Sequence, residues 1–244
     1  GRTEEIYQRI KKPNFDFNDS NMHVAAFSAF LVKKEKKVTA HKFCNNPLDF
    51  IKVSNLSSYL KDSNLFIKEV INQLKDIDTV WQPPVISTHS STYNGFQSSQ
   101  DIFKRPLMKL QTLESIIFDE INAYYLKFKD EDCMFIKRWP SKKTIRGWHV
   151  VLKKQGYQEA HMHSGSWLSG VIYLKVVPSL DKNEGAIEFG LNCKNYSDPS
   201  LPKITHQPKK GDMIFFPSSL HHRTIPFTSD EDRIVIAFDL NPSF

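Results

Sequence analysis

The chain is predicted to be an α+β protein, mainly β, with a closed or sandwiched antiparallel sheet behind a helical N-terminal part. Three observations predict this. From Cys133 onward, short runs rich in Val, Ile, Leu and Phe recur between clusters of Gly, Pro, Asp and Asn. No helix-period pattern interrupts those runs, and strands without intervening helices pair antiparallel and close on themselves. Ahead of Pro83-Pro84 there is little β-branched alternation, and apolar residues fall at helical spacing instead.

In chain order, Glu4 to Lys12 reads as a short charged helix. Leu56 to Ile77 carries Leu60, Leu65, Ile67, Val70, Ile71 and Leu74 as an amphipathic stripe after an Asp/Ser/Asn break. Pro83-Pro84 ends the region, and residues 1–80 are expected to form a helical extension. The stretch 85–105, with Ser, Thr, Asn and Gly in "STHSSTYNGFQSSQDIF", reads as a loop. A helix is expected over about 107–128, where Leu110, Leu113, Ile116, Ile117, Ile121 and Tyr124 step by three and four. Such a stripe covers one face of a sheet. Candidate strands follow at Gly147–Leu152, Leu168–Val177, Ala186–Phe189, Met213–Phe216 and Arg233–Leu240. The sheet domain is therefore assigned to residues 81–244 with the long helix as its support.

Composition narrows the class. The 244 residues and 28.3 kDa suit one large domain or one domain with an extension. No apolar run approaches the ~18 residues of a membrane span. The three cysteines, Cys44, Cys133 and Cys193, are odd in number and widely spaced, which suits a reducing compartment; the expectation is a cytoplasmic protein with small buried thiols. A net charge of +6 comes with interrupted basic runs such as Lys33-Lys34-Glu35-Lys36-Lys37, and no nucleic-acid motif accompanies them. A solvated basic face explains them better than a nucleic-acid partner. Residue 1 is Gly, which suits a segment of a longer protein.

Four of the nine histidines carry chemistry: His161 and His163 in "QEAHMHSGSWLSGVIYL", and His221 and His222 in "FFPSSLHHRTIPF". On extended backbone, residues i and i+2 point to the same face about 6–7 Å apart, so two imidazoles can converge on one ion. A third ligand from a distant strand would fix it. Three ligands on one side leave the opposite positions open, as oxygen chemistry on Fe(II) requires. Arg233 opens the apolar run "RIVIAFDL", a costly place for a guanidinium unless an anion meets it.

These residues carry a resemblance. "WHVVLKKQGYQEAHMHSGSWLSGVIYLKV", "GAIEFG", "KKGDMIFFPSSLHHRTIPF" and "DRIVIAFDL" together resemble the 2-oxoglutarate/Fe(II) oxygenases with a His-x-His…Ser-Gly-x-x-Tyr signature. "CNNPLDFIKVSNL" and "YNGFQSSQDIF" are similar to members that carry tetratricopeptide repeats ahead of the catalytic domain. The resemblance implies a double-stranded β-helix, a jelly-roll or cupin-like core with flanking helices, and the cofactors Fe(II) and 2-oxoglutarate. It implies His161 as first ligand and His222, not His221, as the distal one. Arg233, eleven residues after His222, would pair with the far carboxylate of 2-oxoglutarate. Tyr173 would help hold that carboxylate, with Ser169 four residues earlier on the same segment. His163 falls where most of these oxygenases place Asp or Glu.

His163 thus stands as third ligand or as a turn residue that bonds water or substrate, and Glu188 is an alternative source of the missing acid. His221 reads as a neighbour of the site or a surface residue, His206 as a loop residue, Trp148 and Trp167 as pocket wall, and Gly211-Asp212 as turn chemistry. His89 and His149 have no partner that spacing can assign. The leading function is hydroxylation of an unidentified substrate, with a peptide or protein as the candidate class and with 2-oxoglutarate and O₂ as co-substrates. Two alternatives remain: a three-histidine cupin dioxygenase that needs no oxoglutarate, and a non-catalytic jelly-roll binding module.

Overall fold

The structure is a computed structural model that describes residue 5 and residues 21–36, 43–84 and 90–243. Ten strands alternate with a few helices: β1 (Lys52–Asn55), β2 (Thr79–Gln82), β3 (Thr92–Ser98), β4 (Lys142–His161), β5 (Leu168–Lys175), β6 (Ile187–Gly190), β7 (Lys203–His206), β8 (Asp212–Pro217), β9 (His221–Thr224) and β10 (Arg233–Ser243). The helices are α1 (Met22–Glu35), α2 (Ser63–Leu74), α3 (Met108–Phe128) and the single turn α4 (Met134–Lys137). Every pairing is antiparallel, in the order β1-β8-β5-β10-β4-β9-β6-β7, with the β2-β3 hairpin added alongside β4. The sheet curls into the expected jelly roll.

β4 makes the curl. Its first half pairs with β10 from Lys142 to Leu152, and its last residues pair with β9 through Gln158 and His161. Between them the strand bends at Gln155, which has φ +63°, and its N–H donates to Phe227 O at 2.8 Å. β3 bends at the same level, where Asn94 has φ +52° and its Nδ2 donates to Lys154 O at 2.6 Å. Extra residues at matching positions on two paired strands turn the sheet without opening it. Gly156 belongs to this corner because a Cβ there would lie 2.6 Å from Lys153 O and 2.7 Å from Asn94 O.

Two apolar layers sandwich the large sheet. Met213, Phe215, Leu168, Ile172, Ile236, Phe238 and Leu240 face outward onto α2 and α3. Ile214, Phe216, Val171, Tyr173, Val150, Leu152 and Val235 face inward and fill the roll. This two-sided burial explains why the runs "MIFF" and "IVIAF" are continuously apolar rather than alternating. The α3 stripe is buried as its spacing predicts, and Tyr124 anchors it by donating to Phe50 O at 2.7 Å.

Several elements differ from what the sequence leads one to expect. The region before residue 80 is not wholly helical, because Lys52–Asn55 is a strand paired with β8. The stretch from Leu56 breaks into a short 3-10 turn and a helix capped by Asp62, whose side chain accepts from Leu65 N at 2.8 Å. That cap rotates the stripe so that Phe66 is buried and Leu65 is exposed. The loop-like stretch contains β3, since Asn94-Gly95 is a bulge within a strand, not a turn. β7 and β9 are four-residue polar strands with no periodic signal. The helix expected over Glu4 to Lys12 lies outside the described residues except Glu5, as does His89. Among the described residues, no helix is long and apolar enough to cross a membrane. Cys44 is buried, Cys133 and Cys193 are half-buried, and none forms a disulfide.

Two outcomes follow from this packing. Gly156→Ala pushes a methyl into two backbone oxygens that cannot swing aside, so urea unfolding should show a loss of about 1–3 kcal/mol. His149, on β4, is buried with Nδ1 unpartnered, and burial pushes its pKa down to about 4. An unfolded chain protonates it near 6.5, so the folded state loses stability as pH falls from 6.5 towards 4, by about 1.4 kcal/mol for each pH unit crossed. His149→Phe should make the pH dependence of thermal unfolding shallower over that interval.

Candidate metal centre

β4 ends at His161, the turn behind it carries His163, and β9 supplies His222 directly opposite His161 in the ladder. Ring centroids lie 5.2 Å apart for His161 and His163, 4.4 Å for His161 and His222, and 5.1 Å for His163 and His222. One nitrogen from each lies within 4.8 Å of the other two, the only such histidine, cysteine or carboxylate cluster among the described residues.

The hydrogen bonds decide which nitrogens face the centre. His161 Nδ1 lies 2.7 Å from Glu159 O, and His222 Nδ1 lies 3.1 Å from Leu220 O. A carbonyl only accepts, so each Nδ1 carries the proton and each Nε2 keeps its lone pair. His163 Nδ1 lies 2.6 Å from Asp239 Oδ1, which sets the same tautomer. Burial, then the neighbouring His163, holds His161 down to about 3. Burial, then His161, also holds His222 well below its usual value. These two rings are neutral at neutral pH, the form that binds a metal.

Behind the histidines, a cavity is lined by Trp148, Gln158, Tyr173, Phe216, Thr224 and Arg233 among others. Arg233 is 2% exposed, its Nε donates to Gly185 O at 3.2 Å, and its guanidinium lies 4.9 Å over the Tyr173 ring. Among the described residues, Arg233 Nη1 and the Tyr173 hydroxyl have no hydrogen-bond partner beyond each other's side chain, and no carboxylate pairs with the guanidinium. Burial pushes Arg233 down and Tyr173 up to about 12, and each partly offsets the other. A desolvated cation beside a hydroxyl fits a small carboxylate.

The other candidates fall elsewhere. Ser169 does not line this cavity; its Oγ donates to Asp239 Oδ1 at 2.6 Å and lies 2.8 Å from Ser218 Oγ. The reason is register, since Ser169 sits opposite Asp239 on β10. Glu188 faces away and pairs with Arg223 at 2.8 Å and Lys203 at 3.3 Å, so it cannot supply the missing acid. Trp148 lines the cavity, whereas Trp167 is buried in the outer layer and donates to Phe135 O at 3.0 Å. His221 packs against Tyr196, outside the centre. His206 lies 2.9 Å from Asp212 and ends β7, and Asp212 also accepts from Lys209 N at 2.8 Å after Gly211 at φ +86°. Asp239 is the functional side chain that sequence reasoning misses. Burial would raise its carboxyl, yet His163 and donors from Ser169 and Ser166 hold it below the usual range. Its signal is present in "RIVIAFDL", a second ionisable residue on the same face of the same strand as Arg233.

Residues 146–239 match the family model described as "Putative 2OG-Fe(II) oxygenase". None of the curated proteins matches the chain. Solved structures of similar fold include a Pseudomonas putida prolyl-4-hydroxylase, at 9% identity and TM-score 0.55, covering 90% of this chain and 99% of that one. A prolyl hydroxylase from Trichoplax adhaerens, in complex with a hypoxia inducible factor peptide fragment, aligns at 11% identity and TM-score 0.55, over 95% and 94% of the two chains. The non-heme alpha ketoglutarate dependent carbocyclase SnoK from nogalamycin biosynthesis aligns at 11% identity and TM-score 0.57, over 85% of each. At such identities the likeness establishes the fold, a double-stranded β-helix. The matched segment, residues 146–239, contains all three histidines, Tyr173, Arg233 and Asp239, so the similarity to that family model covers the whole candidate centre.

Proposed function

We propose that the chain is a hydroxylase in which His161, His163 and His222 hold Fe(II) while Arg233 and Tyr173 clamp 2-oxoglutarate. The observation that carries this reading is the buried Arg233 guanidinium, met among the described residues by the Tyr173 hydroxyl and a backbone carbonyl but by no carboxylate, in the cavity that the three histidines border. When bound, Fe(II) and 2-oxoglutarate supply the O₂-dependent oxidation of a substrate C–H bond, with succinate and CO₂ as co-products.

The chain's own residues do the rest. The Nε2 atoms of His161, His163 and His222 would hold the metal, whose chemistry needs positions not taken by protein ligands. The Arg233 fork offers two parallel donors to a carboxylate, and Tyr173 adds a third. Val171, Ile187, Phe216 and Val235 wall the cavity with apolar surface, which keeps water from competing for those donors. Ser169 has no part in this clamp, because its hydroxyl is committed to Asp239.

The prime substrate is proposed to be a peptide or protein segment, since two of the similar structures are prolyl hydroxylases and one of them holds a peptide. Three unpaired cysteines support a reducing, cytoplasmic setting. The three-histidine ligand set also suits a cupin dioxygenase without oxoglutarate, and Arg233 is what separates the two readings. Such an enzyme has no use for a desolvated anion clamp.

His161→Ala and His222→Ala should each abolish Fe(II) binding in anaerobic titration while leaving the circular dichroism spectrum unchanged. Full metal affinity in either variant would exclude that residue as a ligand. His163→Asp should still bind metal. Arg233→Ala should leave metal affinity nearly unchanged but weaken 2-oxoglutarate by ~2–5 kcal/mol, the cost of breaking a buried charge pair. Equal oxoglutarate affinity in variant and wild type, or none in the wild type, would remove the oxygenase reading and favour the cupin.

A further inference from the structure

A neutral imidazole at position 163 leaves the metal one negative charge short of a two-histidine, one-carboxylate set. The structure places a carboxylate directly behind that imidazole. Asp239 Oδ1 lies 2.6 Å from His163 Nδ1, and a proton there leaves Nε2 as the nitrogen with a free lone pair. The carboxylate is itself held, since Ser169 Oγ donates to the same oxygen at 2.6 Å, and Ser169 sits opposite Asp239 in the β5-β10 ladder. The His163 backbone is fixed as well, its N–H donating to Ser218 O at 3.0 Å, with Ser218 Oγ 2.8 Å from Ser169 Oγ. Three strands or their ends thus converge on His163: Asp239 Oδ1 and Ser169 Oγ, at 2.6 and 3.1 Å, meet its Nδ1, while Ser218 O holds its backbone.

We propose that Asp239 is a positioning residue that replaces the missing carboxylate ligand from one bond further out, by holding His163 through its Nδ1–H. The proposal rests on His163 being the third ligand. A carboxylate on Nδ1–H fixes the tautomer and ring plane and makes Nε2 a stronger donor. It also restores the charge. With a divalent metal, a doubly charged 2-oxoglutarate, Arg233 and Asp239 together, the buried assembly closes at zero, whereas without Asp239 it carries one uncompensated positive charge. His161 and His222, by contrast, lean on neutral backbone carbonyls, so Asp239 is the one anionic support of the set.

The test is Co(II) titration, followed by absorbance, of the wild type, H163A, D239N, H163D and the double variant H163D/D239N. D239N keeps an oxygen for Nδ1–H but removes the charge, and should weaken Co(II) about 10- to 100-fold, the usual cost of losing such a support. In the H163D background the sign should reverse. There two carboxylates face each other, so adding D239N should tighten Co(II) binding relative to H163D alone. A purely structural role for Asp239 would weaken binding in both backgrounds. D239N binding Co(II) like the wild type, or the same sign in both backgrounds, overturns the proposal while the ligand assignment stands. Wild-type affinity in H163A overturns the ligand assignment and the proposal with it. Should D239N fail to fold, ¹⁵N-histidine NMR of the metal-free wild type decides: a proton on His163 Nδ1 coupled into a short hydrogen bond is expected, and a proton on Nε2 overturns the proposal.

Discussion

The structure depends on one strand serving both walls of a single curled sheet. β4 is 20 residues long, and its two halves pair with β10 and β9 on opposite walls of the roll. Had it continued straight, His161 would lie far from β9 and the histidines could not meet. The bend at Gln155-Gly156, matched by the bulge at Asn94, turns the ladder and places His161 opposite His222. The three-histidine cluster is therefore a product of the corner, and its geometry is as rigid as the backbone contacts that force the turn.

A second constraint is the cost of desolvated charge. β10 presents Ile234, Ile236, Phe238 and Leu240 to the helices, and its other face runs Arg233, Val235, Ala237 and Asp239 into the roll. One strand thus carries a cation at one end of its inner row and an anion at the other. Neither can be solvated where it lies. Asp239 is satisfied by His163 and Ser169, while Arg233 meets no carboxylate among the described residues. That difference is what separates the roles proposed for the two residues.

Much of this is legible in the sequence because it is periodic or locally expensive. The α3 stripe and the strands Leu168–Lys175, Asp212–Pro217 and Arg233–Ser243 declare themselves by runs of apolar residues buried on both faces. His161, His163 and His222 stand out through spacing and resemblance, and Arg233 because it opens an apolar run. What stays hidden follows from pairing across long sequence distance. β1, β7 and β9 are short and polar and become strands only through their neighbours. Position along the chain groups Ser169 with Tyr173, whereas its chemistry is set by a cross-strand partner 70 residues away. Asp239 looks in sequence like the polar end of a strand, although the burial cost that singles out Arg233 applies equally to it.

The strand Lys52–Asn55 has a consequence for how the chain behaves outside its native context. It covers the outer edge of β8, whose residues Met213, Ile214, Phe215 and Phe216 are apolar on both sides. A bare edge of that composition offers unpaired amides and greasy side chains to any similar strand, the recipe for intermolecular stacking. β1 is short and polar, a poor template itself, and so blunts the edge it occupies. The far rim is closed in the same manner by β7, which begins on Lys203. A truncation that begins near residue 80 would keep every candidate metal ligand and still strip this guard from β8, so insolubility in such a fragment would report an uncovered edge rather than a damaged active site.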